Sequence, residues 1–285
     1  MKKRYLLILV VLVALAAGLY LAQQPPVSDL VVTDPAPTLP PAEPVKVPVV
    51  RYAVPEPEAT EPAEAVTPDD SSPPPPPAQE PQPPLPSVDQ SDAPVGRILN
   101  TLFAGKVFDN LLIVDSFIQR LVLTIDRLPE KKLPLAHIPL TLPEGKFLVS
   151  GSEGSLRTHP DNHQRYAPYV ALLEQLDADQ VIAQYIRLYP LLQTAYQQLG
   201  YPNAYFNDRL VYVIEHLLET PDPVDPIALE QPSVLYTYAD PDLENLSAGQ
   251  KILLRMGQQQ RWKVLAILQN YHFRLTRLLP SATTP

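Results

Sequence analysis

Proline locks its own φ and offers no backbone donor, so helix and sheet interiors reject it. A chain with 37 prolines against 9 glycines folds only where they are kept apart from its core. They are segregated: 21 of the 37 fall within residues 23–90, including the unbroken run 73–77. The sequence therefore predicts a disordered, proline-rich spacer over residues 23–90 in which no core forms. In polyproline II at about 3.1 Å per residue its full reach is roughly 200 Å. It carries 11 acids against Lys46 and Arg51, a net of 2 − 11 = −9, and this self-repulsion extends it further.

Before the spacer, residues 5–22 hold no charge, amide or hydroxyl other than two tyrosines. Eighteen residues of helix at about 1.5 Å each cover roughly 27 Å, close to the ~30 Å hydrocarbon core of a bilayer. Lys2, Lys3 and Arg4 precede this run, and the next base is Lys46. The positive-inside rule then predicts a single-pass anchor at 5–22, with residues 1–4 cytoplasmic and everything after the anchor outside. A cleaved signal peptide is the competing reading, with small residues at Ala14 and Ala16. The apolar run continues through Leu21, longer than a signal peptide needs, and favours an uncleaved anchor. No ionisable side chain lies inside the span, which argues for a passive tether over an energy-coupling helix.

Residues 91–285 read as mostly α, a helical bundle with at most one small two-stranded β element. Val107, Leu111, Val114, Ile118, Leu121, Ile125 and Leu128 recur at alternating spacings of four and three, one stripe of a predicted helix. Phe117, Val122 and Leu123 widen that stripe beyond a coiled-coil seam. Further helices are predicted over 161–175, 178–199 (closed by Gly200) and 204–219. A last helix carries Trp262, Leu265, Leu268, Tyr271, Leu275 and Leu278 on its apolar face. Pro190 is expected to kink the helix that contains it. Asp240 followed by Pro241 reads as a cap and first helical residue, and Ser247 with Gln250 as a capping box. Short strands are expected near Phe147 and over 234–238, paired with each other.

The blocks YPLLQ (189–193), LGYP (199–202), YFNDR (205–209), YADP (238–241), SAGQK (247–251) and LRMG (254–257), in that order, resemble a bacterial family named domain of unknown function 3014. The similarity runs from about Leu85 to the carboxyl end. It implies an exported or membrane-anchored bacterial protein and implies no activity, so no catalytic residue carries over from it.

The residues themselves exclude much chemistry. With no cysteine there is no thiol nucleophile, disulfide or thiolate metal site. HPDNH (159–163) places two histidines four apart with an acid between them, but lacks the glutamate of a zincin motif and reads as a helix start. GSEGS (151–155) has its serines in the wrong places for a nucleophile elbow. No catalytic residue, metal or cofactor is therefore expected, and the chain does not read as an enzyme.

What remains is binding. Tyr205, Asn207, Asp208 and Arg209 form a polar cluster beside an apolar helix, in a domain rich in tyrosine; they, with Lys251 and Arg255, are candidate ligand or partner contacts. No acid follows Glu244, whereas Lys251, Arg255, Arg261, Lys263, Arg274 and Arg277 give +6; residues 91–244 carry 11 bases and 20 acids. Arg261, Lys263, Arg274 and Arg277 are thus candidates for a basic patch that meets an acidic partner, outside the cytoplasm not nucleic acid; the same charges can instead neutralise acids of their own domain. The expected role is a structural or interaction module of the bacterial envelope, tethered to the inner membrane with its folded part in the periplasm and an envelope protein as partner. The alternatives are a module binding a lipid, glycan or peptide in a tyrosine-lined groove and, less favoured, an envelope hydrolase.

Overall fold

A computed structural model describes residues 50–55, 85–102 and 111–278. The proposed anchor at 5–22 lies outside them. Among the described residues no helix is long and apolar enough to cross a membrane.

The described chain is mostly helical, with eight α-helices and two small two-stranded sheets. The helices are α1 (Asp92–Leu102), α2 (Phe117–Arg127), α3 (Asn162–Glu174), α4 (Ala178–Gln198), α5 (Phe206–Leu218), α6 (Pro241–Glu244), α7 (Ala248–Arg255) and α8 (Gln258–Leu275). Helix α8 packs on α3, α5, α4 and α7, while α2 packs on α4 and α5. The interior between them is aliphatic and aromatic, including Leu99, Phe117, Leu121, Tyr166, Phe206 and Leu210. Each such side chain removed from water contributes about 1.5–3 kcal/mol. A second, smaller cluster of Ile227, Leu229, Tyr238, Leu243 and Leu254 lies under the sheets.

The local signals behave as their chemistry requires. Asp177 accepts the Gln180 N–H at the start of α4, and Asp240 caps α6 ahead of Pro241. Ser247 and Gln250 form the reciprocal capping box of α7. Gly200 follows the end of α4 at φ +108°, where a side chain would be strained. Helix α4 continues as one helix past Pro190, although proline has no N–H to give to the carbonyl four residues earlier.

Four sequence expectations need correction, one of them the single residue Trp262. The first is the helix drawn from the apolar stripe beginning at Val107. The described part of that stretch is non-helical until Phe117, with Ser116 in the left-handed region at φ 50°. Leu112 instead bridges Leu140 in an antiparallel pair, and the first N–H groups of α2 are taken by Asp92 of α1, which accepts from Ser116 at 2.8 Å and from Phe117 at 3.1 Å. Leu111 and Val114 still pack on the core, so the stripe reflects tertiary burial and not one continuous helix.

The second concerns the β structure, which comprises two antiparallel ribbons and not one. β1 (Val149–Ser150) pairs with β2 (Arg157–Thr158), and β3 (Leu229–Glu230) with β4 (Thr237–Tyr238). Each strand takes the neighbour its own short loop supplies. The ribbons adjoin through Thr158 N–H to Ile227 C=O at 2.9 Å and Leu229 N–H to Leu156 C=O at 2.8 Å. Trp262, expected on the apolar face of the last helix, is 53% exposed.

The third concerns the spacer. Val88, inside it by sequence, is buried in the core within a 3-10 turn, Val88–Gln90, and Leu85 packs beside the core. Far upstream, Tyr52 and Val54 also pack against the core.

Candidate functional site

Helix α5 starts without a side-chain cap of its own; Tyr205 stands at the N-cap position and makes no such bond. The cap is supplied by α4. Gln193 Oε1 accepts the Phe206 N–H at 2.9 Å, and its Nε2 donates to the Ala204 carbonyl at 2.8 Å. Tyr189, one turn earlier, donates its hydroxyl to the same Oε1 at 3.1 Å. The first turn of α5 is thereby fixed, and with it the next two side chains, Asn207 and Asp208.

Those two side chains hold the main chain of residues 51 and 52. The Asp208 carboxylate accepts the Arg51 N–H at 3.0 Å and the Tyr52 N–H at 2.8 Å. Asn207 Nδ2 donates to the Tyr52 carbonyl at 2.9 Å. Asn207 has no exposed surface, and its Oδ1 accepts the Tyr185 hydroxyl proton at 2.8 Å, which fixes which end of the amide faces the peptide. Burial pushes the Tyr185 hydroxyl well above its ordinary value and Tyr189 up to about 12. Both remain protonated donors across the physiological range.

The held segment bends at Arg51 and Tyr52, which turns two consecutive N–H groups toward one carboxylate. Val50, Tyr52 and Val54 are half-buried while Arg51 and Ala53 are exposed. The Arg51 guanidinium lies 5.1 Å from the centre of the Tyr52 ring. An acid with two acceptor oxygens and an amide donor on consecutive residues match two consecutive donors and the following acceptor of a bent main chain. The arrangement grips a peptide backbone.

The other sequence candidates lie elsewhere. Arg209 points away from Asp208 and donates to the buried Asp126 of α2, at 3.0 Å to its carboxylate and 2.6 Å to its carbonyl; this pair ties α5 to α2. Tyr205 serves as the N-cap residue. Tyr185 and Tyr196 are buried and Tyr189 half-buried, so the tyrosine-rich face of α4 is core behind the cleft and not an open groove. Lys251 and Arg255 belong to α7, whose capping box reaches His216 near the far end of α5. Lys251 donates to Glu244, and Arg255 lies over the Phe147 ring at 5.8 Å.

The four basic-patch candidates do not share one free surface. Arg261 is completely buried and is held by the Asp222 carboxylate. Lys263 pairs with Glu174 at 3.0 Å, Arg274 pairs with Asp179, and Arg277 stacks 3.8 Å from the centre of the Phe273 ring. Three of the four thus bind acids on three different parts of their own domain.

The histidine pair lines a cleft of about 220 Å³ together with Asp225 and Arg255. His159 Nδ1 accepts the Asp161 N–H at 3.1 Å, and His163 Nδ1 lies 2.6 Å from the Pro160 carbonyl. These are helix-start contacts, and among the described residues no group of three metal-ligating side chains assembles. Ser152 and Ser155 bond one another across a turn.

Sequence reasoning found Asn207 and Asp208 and missed what they hold. One signal was present: residues 49–54 are a proline-free window between Pro48 and Pro55 that carries one of the spacer's two basic residues.

The family described as Protein of unknown function (DUF3014) matches the chain over residues 117–272, which includes Tyr185, Gln193, Asn207 and Asp208. No curated protein and no solved structure matches it.

Proposed function

Since the chain belongs to the DUF3014 family, whose description assigns no role, we propose a function from the geometry of the Asn207/Asp208 cleft: a non-catalytic interaction module of the bacterial envelope. Residues 5–22 hold it in the inner membrane, residues 1–4 stay in the cytoplasm, and the folded part stands in the periplasm. Its spacer is more than a passive connection, because part of it docks back on the domain.

One observation carries this reading. Two adjacent side chains on α5 take three main-chain groups of a segment more than 150 residues upstream. Side chains that recognise main chain perform binding, and among lipid, glycan and peptide ligands they favour peptide.

Two measurements in living cells test it. A periplasm-dependent reporter fused to the carboxyl end is expected to be active, and a cytoplasm-dependent one inactive; the reverse overturns the placement. A photo-crosslinking residue at the exposed position 51 is expected to join the domain near Asp208, and to lose that product in Asp208→Ala. If the product is absent, or persists in Asp208→Ala, the docking reading is wrong.

A further inference from the structure

We propose that the Asn207/Asp208 cleft is a recognition site for a proline-free segment of a second envelope protein that bends as residues 51 and 52 do, and that residues 50–55 occupy it in cis until that partner displaces them. The inference rests on the tethered-module reading only in placing the partner in the envelope.

The first argument is the nature of the grip. All three hydrogen bonds go to main-chain atoms of residues 51 and 52, so nothing in them is particular to arginine or tyrosine. Any peptide that bends so that two consecutive N–H groups and the following carbonyl turn to one side satisfies them, and proline at either position does not. Selectivity then falls to the alternate side chains. Tyr52 and Val54 face the core and Arg51 and Ala53 face water, so the site favours an aromatic residue followed two places on by an aliphatic one.

The second is preorganisation. Asn207 is wholly buried, and Tyr185 fixes its amide so that Nδ2 faces the segment. With the segment gone, that donor and both carboxylate oxygens of Asp208 lose the partners they have here. Tyr185 and the fixed first turn of α5 keep those groups aimed into the cleft, so a peptide main chain meets its partners already in place.

The third is the weakness of the cis occupant. It contributes three hydrogen bonds and a few half-buried side chains, and 29 residues (56–84) separate it from Leu85, where the described chain resumes. A connection of this kind sets an effective concentration on the order of mM. A partner therefore competes with the tether and does not meet an empty site, and mutations that undock the tether strengthen its binding.

The test uses the full chain in detergent micelles and a fluorescent peptide spanning residues 46–58 as the probe. The chain carrying Arg51→Pro and Tyr52→Pro, which removes both N–H groups of the cis segment, is expected to bind the peptide roughly tenfold or more tightly than the unaltered chain. Adding Asp208→Ala is expected to abolish binding, with thermal melting to verify that the domain remains folded; Asp208→Asn, which keeps the shape, is expected to weaken it. A peptide with proline at the two gripped positions is expected not to bind. Failure of the emptied chain to bind, or equal binding after Asp208→Ala, overturns the proposal. Slow amide exchange at residues 51 and 52 of the unaltered chain reports cis docking separately, so the recognition site can fail while docking stands. Light scattering that finds an Asp208-dependent dimer of the unaltered chain also overturns the proposal, because the occupant is then a second copy.

Discussion

Arg261 illustrates what a single charge does when the fold encloses it. Its side chain has no exposed surface, whereas the side chain of its partner Asp222 remains 43% exposed. Asp222 also receives the Trp262 indole N–H at 3.0 Å. Removing the acid strands a buried guanidinium, while removing both partners does not. Asp222→Ala is therefore expected to destabilise the domain by about 1–3 kcal/mol, and Asp222→Ala with Arg261→Met to recover most of that loss; chemical denaturation of the two variants decides it. The same pair sets a pH dependence. The Arg261 hydrogen bond, helped by Trp262 and Gln258, lowers the Asp222 carboxyl below its ordinary 3.8. A depressed acid adds stability above its unfolded value and loses it as the pH falls through its folded value. The stability difference between the unaltered chain and Asp222→Asn is thus expected to be flat from pH 7 to 5 and to shrink below about pH 4, measured by melting at each pH.

Among the elements, α7 shows how a short helix is held at its start. Its first N–H groups meet the end of α2: Ala248 donates to the Glu130 carbonyl at 2.7 Å and Gly249 to the Leu128 carbonyl at 2.9 Å. That approach leaves no room for a side chain, since a Cβ on Gly249 would lie 3.1 Å from the Leu128 oxygen and 2.7 Å from a Leu217 methyl. Gly249→Ala is expected to cost about 1–3 kcal/mol through overpacking, and Ser247→Ala about 1 kcal/mol through the lost cap; urea midpoints of the two variants give the comparison. The caps at Asp240 and Ser247 were legible in the sequence because each involves residues within four places of one another. The start of α2 was not, because its cap is Asp92, 24 residues upstream of Ser116. The start of α5 was hidden for the same reason, its cap being Gln193 of another helix.

At the scale of the whole molecule the same limit separates the two halves of the site. Asn207 and Asp208 stood out as a local polar cluster, but the segment they hold is 155 to 157 positions away in a stretch that composition assigns to a spacer. Composition reports an average, and six proline-free residues are enough to dock on the core where the average forbids one. The distribution of charge was legible, its use less so: the acid-free carboxyl-terminal part is spread among acids of earlier elements, with Lys263 on Glu174, Arg274 on Asp179 and Arg261 on Asp222. The docked segment also permits a test inside one molecule. The spacer contains two sites for trypsin, after Lys46 and after Arg51, and neither is followed by proline. A protease must draw the scissile peptide into its own cleft as an extended strand, which the Arg51–Tyr52 bond cannot supply while Asp208 and Asn207 hold the groups on both sides of it. Cleavage then tracks the undocked population. With Lys46 as the internal reference, the ratio of cutting after Arg51 to cutting after Lys46 is expected to rise roughly tenfold in Asp208→Ala, followed by mass spectrometry over time, for an undocking free energy of about 1.4 kcal/mol. An unchanged ratio would mean that the segment spends most of its time away from the cleft.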